Sequence, residues 1–328
     1  MTEKYKDMFK YWSKVFVIAL LVILVIRTFF IASYSVSSIQ METSLLKGDR
    51  VLVNKTAYGI RMPVTLLSIP FVFDSIAGLR TYSDAVQFGY NRLFASQVER
   101  NDIVVFNNPL ETDKPLDKRS VCISRCVASP GDTVFVDGFA YLINGKQYVT
   151  SPDFLMQFRF PDVLLDTVRS LARHLDIPLR NLNESDSLVY ASLNRYESFL
   201  INKNLPDTMQ LQIAEKDASN YKVLVPKKGM KIELNEQTIP LYKKLILDEQ
   251  GQEFIFLKSK FYCNGKPVDS YIFRNDYYWF LSDNVDESVD SRYVGFISER
   301  DIIGRASFVW YSSAESGVRW SRIFSSVK

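Results

Sequence analysis

Three short segments of the chain carry the side chains that could do nucleophilic chemistry. Ser37 and Ser38 stand just before Gln40, Ser124 lies within an apolar run, and Ser288 lies among acidic residues near the C-terminus. A serine hydroxyl becomes an effective nucleophile when a base accepts its proton, and a lysine kept neutral by burial is one such base. The pattern therefore directs attention to the residues around each of these serines.

Lys47 and Lys55 are the lysines that follow Ser38 most closely in the sequence. Both occupy polar or exposed-looking positions, where an amine keeps its ordinary high pKa and stays charged. Ser37 or Ser38 with one of these lysines is an alternative pairing of nucleophile and base. The single histidine, His174, lies in a different part of the chain.

Two of the segments resemble catalytic motifs of type I signal peptidases. Residues 38–49 read Ser-Ile-Gln-Met-Glu-Thr-Ser-Leu-Leu-Lys-Gly-Asp, and the family motif reads Ser-x-Ser-Met-x-Pro-Thr-Leu followed by x-x-Gly-Asp. Residues 123–132 read Ile-Ser-Arg-Cys-Val-Ala-Ser-Pro-Gly-Asp, which is similar to the family's Lys-Arg-x-x-x-x-Pro-Gly-Asp. The resemblance implies that Gln40 stands where the family has its nucleophilic serine and Ser124 where it has its catalytic lysine. Both halves of the Ser/Lys dyad are then absent.

The third segment, residues 282–297, resembles the family's C-terminal motif, Gly-Asp-Asn-Arg-Asp-Asn-Ser-x-Asp-Ser-Arg. The resemblance implies that Asp290 and Arg292 form a structural ion pair, and that Ser288 matches a serine that supports the lysine in active members. Without a lysine, we expect Ser288 to cap a turn. Ser38 matches the family's oxyanion-hole serine, so Ser38 and Ser288 are possible remnants of the site. Ser282 replaces a family glycine and would crowd the place of the lysine.

The resemblance also implies how a substrate would bind. An extended peptide would pair with the backbone leading into the first motif, with shallow apolar pockets for small side chains. Val36, Ser38 and Met41 are the predicted substrate-binding positions.

Composition excludes several other classes of protein. The chain has 328 residues, of which 47% are hydrophobic and 23% charged, as in folded proteins. A net charge of +3 is too small to indicate a nucleic-acid partner, and 14% aromatic residues suit a β-rich fold. Cys122 and Cys126 lie four apart on a predicted strand, roughly 13 Å, too far for a disulfide. No spacing indicates a metal site or another cofactor.

The N-terminus predicts a membrane anchor. An apolar run covers 15–26 and continues beyond Arg27, giving roughly 20 residues from Trp12 onward, enough to cross a bilayer. Lysines precede it at positions 4, 6, 10 and 14, so we expect a cytoplasmic N-terminus and an extracytoplasmic main domain, in a single-pass protein of the bacterial cytoplasmic membrane. A cleaved signal peptide is the alternative.

These patterns predict a mainly β protein: a signal-peptidase-like antiparallel β domain with an inserted α/β lobe, behind one transmembrane helix. The predicted divisions are a cytoplasmic tail (1–11), the membrane helix (12–33), the β domain (34–148 and 262–315), the inserted lobe (149–261) and a C-terminal tail (316–328). Within the lobe, apolar spacing predicts helices over 162–175 and 190–201.

Three functions are compatible with the sequence. The first is a membrane-anchored homologue in protein export that binds signal peptides, preproteins or an active signal peptidase paralogue without standard Ser/Lys proteolysis. The second is an active signal peptidase with a non-standard nucleophile. The third is a structural subunit of an envelope complex. The predicted partners are thus membrane lipid, signal peptides or preproteins and a paralogue, with no nucleic acid.

Overall fold

The structure is a computed structural model that describes residues 3–65, 75–76, 79–83, 88–137, 140–148, 154–185, 187–214, 220–250, 253–284, 290–314 and 317–327. Five α-helices lie in these ranges: α1 Glu3–Phe29, α2 Leu165–His174, α3 Arg195–Asn202, α4 Thr238–Gln250 and α5 Ser291–Val294. Short 3-10 turns cover Leu116–Lys118, Asp162–Leu164, Asp207–Met209 and Trp320–Arg322.

The described strands number 26. The first eight are β1 Ile31–Ser35, β2 Asp49–Asn54, β3 Ile60–Arg61, β4 Ser75–Ile76, β5 Leu79–Arg80, β6 Arg92–Leu93, β7 Ile103–Asn107 and β8 Val121–Ala128. The middle of the chain adds β9 Thr133–Asp137, β10 Ala140–Ile143, β11 Lys146–Tyr148, β12 Met156–Pro161, β13 Arg180–Ser185, β14 Leu188–Leu193, β15 Gln212–Ile213, β16 Tyr221–Leu224 and β17 Lys231–Glu233. The last nine are β18 Phe254–Leu257, β19 Lys260–Cys263, β20 Lys266–Val268, β21 Ser270–Ile272, β22 Tyr277–Leu281, β23 Ile297–Ser298, β24 Ile302–Ala314, β25 Gly317–Val318 and β26 Ser325–Ser326.

The N-terminal helix is long and apolar enough to cross a membrane over Met8–Phe29, with a mean hydropathy of 2.1, and none of its most apolar stretch is buried within the described chain. It ends at Phe29, before the predicted boundary at residue 33. The chain turns there because Ile31–Ser35 pair antiparallel with β2. The Lys55 amine also donates to the carbonyls of Arg27 and Thr28, which satisfies orphan acceptors of the last helical turn.

A large antiparallel sheet carries all three sequence motifs. Its strand order is β1-β2-β24-β7-β8-β22-β23, and β25 and β26 pair with β24. The central strands β7 and β22 are buried along their whole length, as their unbroken apolar sequences indicate. The turn at Pro130–Asp132 enters β9 with Gly131 at a φ of 92°, a conformation that glycine adopts readily. The predicted mainly β class is confirmed.

The inserted lobe has a core of its own. Strands β13-β14-β12-β15 form a four-stranded sheet, against which α2 and α3 pack. The predicted helix over 162–175 is confirmed, but the one over 190–201 is wrong in its first half. Strand β14 occupies Leu188–Leu193 with Val189, Ala191 and Leu193 buried, and α3 begins only after Asn194, whose side chain forms a capping box with Glu197.

A third apolar core draws on both sides of the predicted boundary at residue 148. Strand β16, which lies within the range predicted for the lobe, pairs with β9, before residue 148, in the sheet β11-β10-β9-β16. Helix α4 packs on the same core through Tyr242, Leu245 and Ile246. The segment with a separate core is therefore the shorter one between residues 154 and 214.

The C-terminal residues pack against the large sheet instead of leaving it as a tail. Strands β25 and β26 pair with β24, and Arg322 forms an ion pair of 2.6 Å with the buried carboxylate of Asp49. A buried carboxylate requires a charged or hydrogen-bonding partner, which explains why the chain returns here.

Candidate functional site

The three motifs converge beside the ends of β1, β8 and β22. The backbone N–H of Asn284 donates to the carbonyl of Gln40 at 2.9 Å. The hydroxyl oxygens of Ser124 and Ser282 lie 3.4 Å apart. Strand register explains the second contact, because Leu281 at the end of β22 pairs with Arg125 on β8. Residues far apart in sequence thus meet at one place.

Gln40 lies in the turn that follows β1 and is buried, with 7% of its surface exposed. Ser38 Oγ donates to Gln40 Oε1 at 3.5 Å, the long end of the hydrogen-bond range. The Gln40 side chain ends in an amide, which has neither a nucleophilic hydroxyl nor an acidic proton. The amide of Gln40 therefore cannot do the chemistry of a serine hydroxyl at this place in the fold.

Ser124 is fully buried and points at neutral oxygen atoms. Its hydroxyl donates to the carbonyl of Ile123 at 2.7 Å. The cavity next to Ser282, lined also by Tyr148 and Phe154, measures about 10 Å³. That volume is about what one water molecule needs, so no substrate side chain fits behind Ser282.

Among the described residues, no lysine or histidine hydrogen-bonds to the hydroxyl of Ser38 or Ser124. Lys47 is exposed. Lys55 has a pKa lowered to about 8, by burial first and then by the charges of Arg61 and Arg27. It binds the end of α1, however, at the end of β1 where Ile31 pairs with Asn54, opposite to the end that leads to Ser38. The strand alone separates these ends by about 13 Å.

A network around Asp283 joins all three motifs. Arg125 donates through Nε to one carboxylate oxygen and through Nη2 to the other, both at 2.9 Å. Ser44 and Thr43, from the first motif, donate to the same carboxylate at 2.6 and 3.0 Å. Burial alone would lower the pKa of Arg125, but hydrogen bonds to Asp283 and its charge outweigh burial, and the pKa is raised. This ion pair holds the site together without a catalytic lysine.

Asp290 and Arg292 also lie in direct contact. Arg292 Nη2 is 2.6 Å from Asp290, and Asp290 accepts from the backbone N–H of Ser282 at 2.8 Å and caps α5 through the N–H of Arg292. Asp290 thus positions the loop that carries Ser282. Ser288 lies outside the described residues.

The predicted substrate-binding positions differ in accessibility. Val36 and Met41 are buried, at 6% and 0% exposure, and pack in a core with Leu45 and Val51. Ser38 is half-buried. Of the strands described, only β2 pairs with β1, so the other backbone edge of β1 is available for pairing.

The inserted lobe contacts this site, which the sequence did not indicate. The N–H of Leu155 donates to the carbonyl of Asp283 at 2.9 Å, and Leu155 pairs in parallel with Asn284. Arg180 bridges Glu42 at 3.7 Å and Glu197 at 3.0 Å. No local pattern predicts such contacts, because each joins residues that are distant in the chain. No group of three or more His, Cys, Asp or Glu that could hold a metal ion lies within the described ranges.

Comparison with known proteins agrees with these motifs. The family model "Signal peptidase, peptidase S26" matches residues 9–170 and 224–311, leaving 171–223 between them unmatched. Signal peptidase I of Buchnera aphidicola subsp. Baizongia pistaciae is 24% identical over 312 residues, covering 92% of this chain and 76% of that protein. Signal peptidase I of Helicobacter pylori strain J99 is 24% identical over 335 residues, covering 97% and 91%. The corresponding protein of Haemophilus influenzae is 21% identical over 322 residues, covering 94% and 73%.

The family match spans most of the chain, and the motifs by which this chain resembles the family meet at a single place in the fold. The chain therefore belongs to the signal peptidase family, peptidase S26.

Proposed function

We propose that this protein is a membrane-anchored signal peptidase homologue of the export pathway that binds preproteins but does not cleave them. The observation that carries the proposal is the state of the two dyad-equivalent positions. Gln40 offers an amide, and Ser124 offers a buried hydroxyl that donates to a backbone carbonyl. Loss of the nucleophile of a serine protease costs on the order of a millionfold in rate. Because nucleophile and base are both replaced, we expect no residual proteolysis by the family mechanism.

Peptide binding does not depend on the missing groups. An extended chain adds to a sheet through backbone hydrogen bonds, and the free edge of β1 lies directly before Ser38. The network of Asp283 and Arg125 keeps the neighbouring loop ordered. These features support retention of a peptide-binding surface, with the segment before a signal-peptide cleavage site as its ligand.

Membrane attachment is supported by the span of α1 and by aromatic residues exposed at its end and on the domain that follows it. Phe30, Trp320 and Phe324 are exposed, and the indole N–H of Trp310 donates to Ser33 on β1 at 2.8 Å. Exposed aromatic rings of this kind favour the lipid–water interface. We infer that they contact lipid, that the lysine-rich N-terminus is cytoplasmic and that the main domain is extracytoplasmic.

The domain division belongs to the same proposal. The β domain would bind the peptide, and the lobe would pack against the β domain through Leu155 and Arg180. An active signal peptidase paralogue is a second proposed partner, which the protein would assist by presenting a bound preprotein.

The test is a cleavage assay with purified full-length protein and a preprotein. We expect no product from the wild type, from Ser38→Ala or from the matched control Ser37→Ala, whose site is exposed. Wild-type cleavage that disappears in Ser38→Ala but persists in Ser37→Ala would instead identify Ser38 as a working nucleophile.

Binding is measured separately, with a fluorescent peptide that covers the segment before a cleavage site. Methylating alternate backbone nitrogens removes the donors that would pair with β1. We expect about tenfold weaker binding of the methylated peptide, the equivalent of one or two lost hydrogen bonds. Equal affinities for the two peptides would contradict pairing along β1.

A further inference from the structure

A cluster of arginines lies away from the dyad-equivalent site. Arg61 and Arg92 are direct partners across the pair β3–β6, and both donate to the carbonyl of Ile302. Arg92 Nε also donates to the hydroxyl of Tyr90 at 2.9 Å, and the guanidinium of Arg300 lies 5.6 Å from the centre of the same ring. Like charges opposite each other on a strand pair are destabilising. The guanidinium groups of Arg92 and Arg300 at Tyr90, with Arg61 beside Arg92, thus concentrate positive charge around the Tyr90 ring in spite of that repulsion.

Asp117, Asp248, Glu299 and Asp301 act electrostatically on these arginines and Arg119, but among these described residues only one of the four carboxylates forms an ion pair with them. Asp301 forms an ion pair of 3.3 Å with Arg119, and Asp117 is engaged by the N–H and hydroxyl of Thr65. Arg61 is 9% exposed, and its Nη2 is buried without a hydrogen-bond partner. The guanidinium of Arg300 forms no ion pair with any residue that the structure describes. Four guanidinium groups thus share one ion-paired carboxylate.

Two cavities, of about 600 and 340 Å³, meet beside this cluster. Both are lined by Arg119, Arg300, Thr112 and Leu116. The other charged residues that line them are Asp113, Lys114, Lys244, Asp248, Glu249 and Asp301.

Several of these charged residues have defined partners or a neighbour of opposite charge. Lys114 pairs with Glu111 at 3.2 Å, and Lys244 and Asp248 lie one turn apart on α4. The carboxylate of Glu249 accepts five hydrogen bonds, from Tyr271, Tyr277, Arg274 and Asn275. The larger cavity, about 600 Å³, is lined by the cations Lys114, Arg119 and Arg300 and by one carboxylate, that of Asp113, so its lining carries an excess of positive charge, and its volume admits a small ligand.

The cluster is also near the end of the membrane helix. Lys55 binds the carbonyl of Thr28 in the last turn of α1, and Arg61 follows Lys55 by six residues. Six residues span at most about 21 Å even when fully extended. An anion at the membrane surface is therefore within reach of this part of the fold.

We propose that the larger cavity binds a phosphate group between the guanidinium groups of Arg119 and Arg300, with the Thr112 hydroxyl as a further donor. Planar guanidinium groups match phosphate oxygens in geometry and charge. The phosphate is that of an anionic lipid headgroup or free inorganic phosphate, and Leu116, Val64 and Phe88 supply the apolar wall beside it.

The test uses full-length protein in a neutral detergent and measures bound phosphatidylglycerol by native mass spectrometry, with phosphatidylcholine as the neutral-lipid comparison. Arg300→Gln removes one charged contact and should weaken binding about tenfold or more. Arg300→Lys should retain part of the binding because the charge remains. Arg195→Gln, at an exposed position of α3, is the matched control and should bind as the wild type does. Circular dichroism and Tm verify that each variant is folded.

The outcomes separate the two sources of phosphate. Preference for phosphatidylglycerol that depends on Arg300 and resists added inorganic phosphate assigns a lipid headgroup. Displacement by inorganic phosphate, or direct phosphate binding with the same dependence on Arg300, assigns free phosphate. Equal retention of the two lipids without phosphate binding overturns the proposal, and so does equal binding by Arg300→Gln and Arg195→Gln.

Discussion

The hydroxyl oxygens of Ser124 and Ser282 lie 3.4 Å apart, and both residues are fully buried. In the family pattern these two positions carry a lysine and a glycine. A small, polar and neutral pair therefore occupies the space in which a long basic side chain would extend toward the nucleophile position. The two substitutions are compatible with each other, because Ser282 occupies part of the space that a lysine at 124 would need.

This contact predicts what would restore proteolysis. Gln40→Ser with Ser124→Lys supplies both dyad members, but the lysine has little room beside Ser282. We expect more cleavage from the triple variant that adds Ser282→Gly than from the double variant, measured as the rate of preprotein processing. Adding Ser38→Ala to the triple variant should lower that rate by removing an oxyanion donor, a loss of about a hundredfold. Equal rates for the double and triple variants would mean that Ser282 does not obstruct the site.

Truncation of the Asp283 side chain should cause a large loss of stability. Asp283→Ala leaves the nearly buried guanidinium of Arg125 without its partner, and breaking a buried ion pair in this way costs about 3–5 kcal/mol. Glu253→Ala is the control, since Glu253 is 67% exposed and its pair with Arg274 is 3.8 Å long. We expect the control to change the free energy of unfolding by less than about 1 kcal/mol. Urea unfolding in detergent measures both, and similar values would contradict a structural role for the buried pair.

Gly304 should be another position that is sensitive to substitution, because the backbone of the neighbouring strand lies very close to it. A Cβ on Gly304 would lie 2.4 Å from the carbonyl oxygen of Asn54, on the neighbouring strand β2. Because backbone must move to relieve that overlap, Gly304→Ala should cost about 1–3 kcal/mol. Gly89→Ala has no atom within 4 Å of the added carbon and should stay within about 0.5 kcal/mol of the wild type. A stable Gly304→Ala variant would show that β2 and β24 can separate at no cost.

Asp301 predicts a dependence of stability on pH. Burial raises its pKa from 3.8 to about 6, against the opposing charges of Arg119 and Arg61. Between these pH values the folded protein binds a proton that the unfolded chain has released. The contribution of Asp301 to the free energy of unfolding is therefore greatest below pH 4 and decreases as the pH rises toward 6. The contribution amounts to about 3 kcal/mol.

The measurement is the Tm of wild type and Asp301→Asn across that pH range. The asparagine does not titrate, so the wild-type Tm should fall relative to the variant's as pH rises from 4 to 6, whatever constant offset loss of the Arg119 ion pair introduces. Parallel curves would show that the pKa of Asp301 is not raised.

A feature of this protein could be predicted from the sequence when the residues that form it lie close together along the chain. The apolar run of α1 and the helix ending at His174 were predictable because both depend on residues within a few turns. The helix predicted over 190–201 was wrong in its first half because Val189–Leu193 pair with two neighbouring strands, and that pairing outweighs local helical spacing.

The sequence by itself determined the apolar N-terminal helix that is long enough to span a membrane, the β class and the resemblance to the signal peptidase family. Only the tertiary structure decided that Ser124 faces Ser282, that Leu155 and Arg180 of the lobe contact the site, and that Arg322 returns to Asp49. The physical reason is that buried polar and charged groups must find partners, and those partners come from whichever strands the long-range pairing brings alongside.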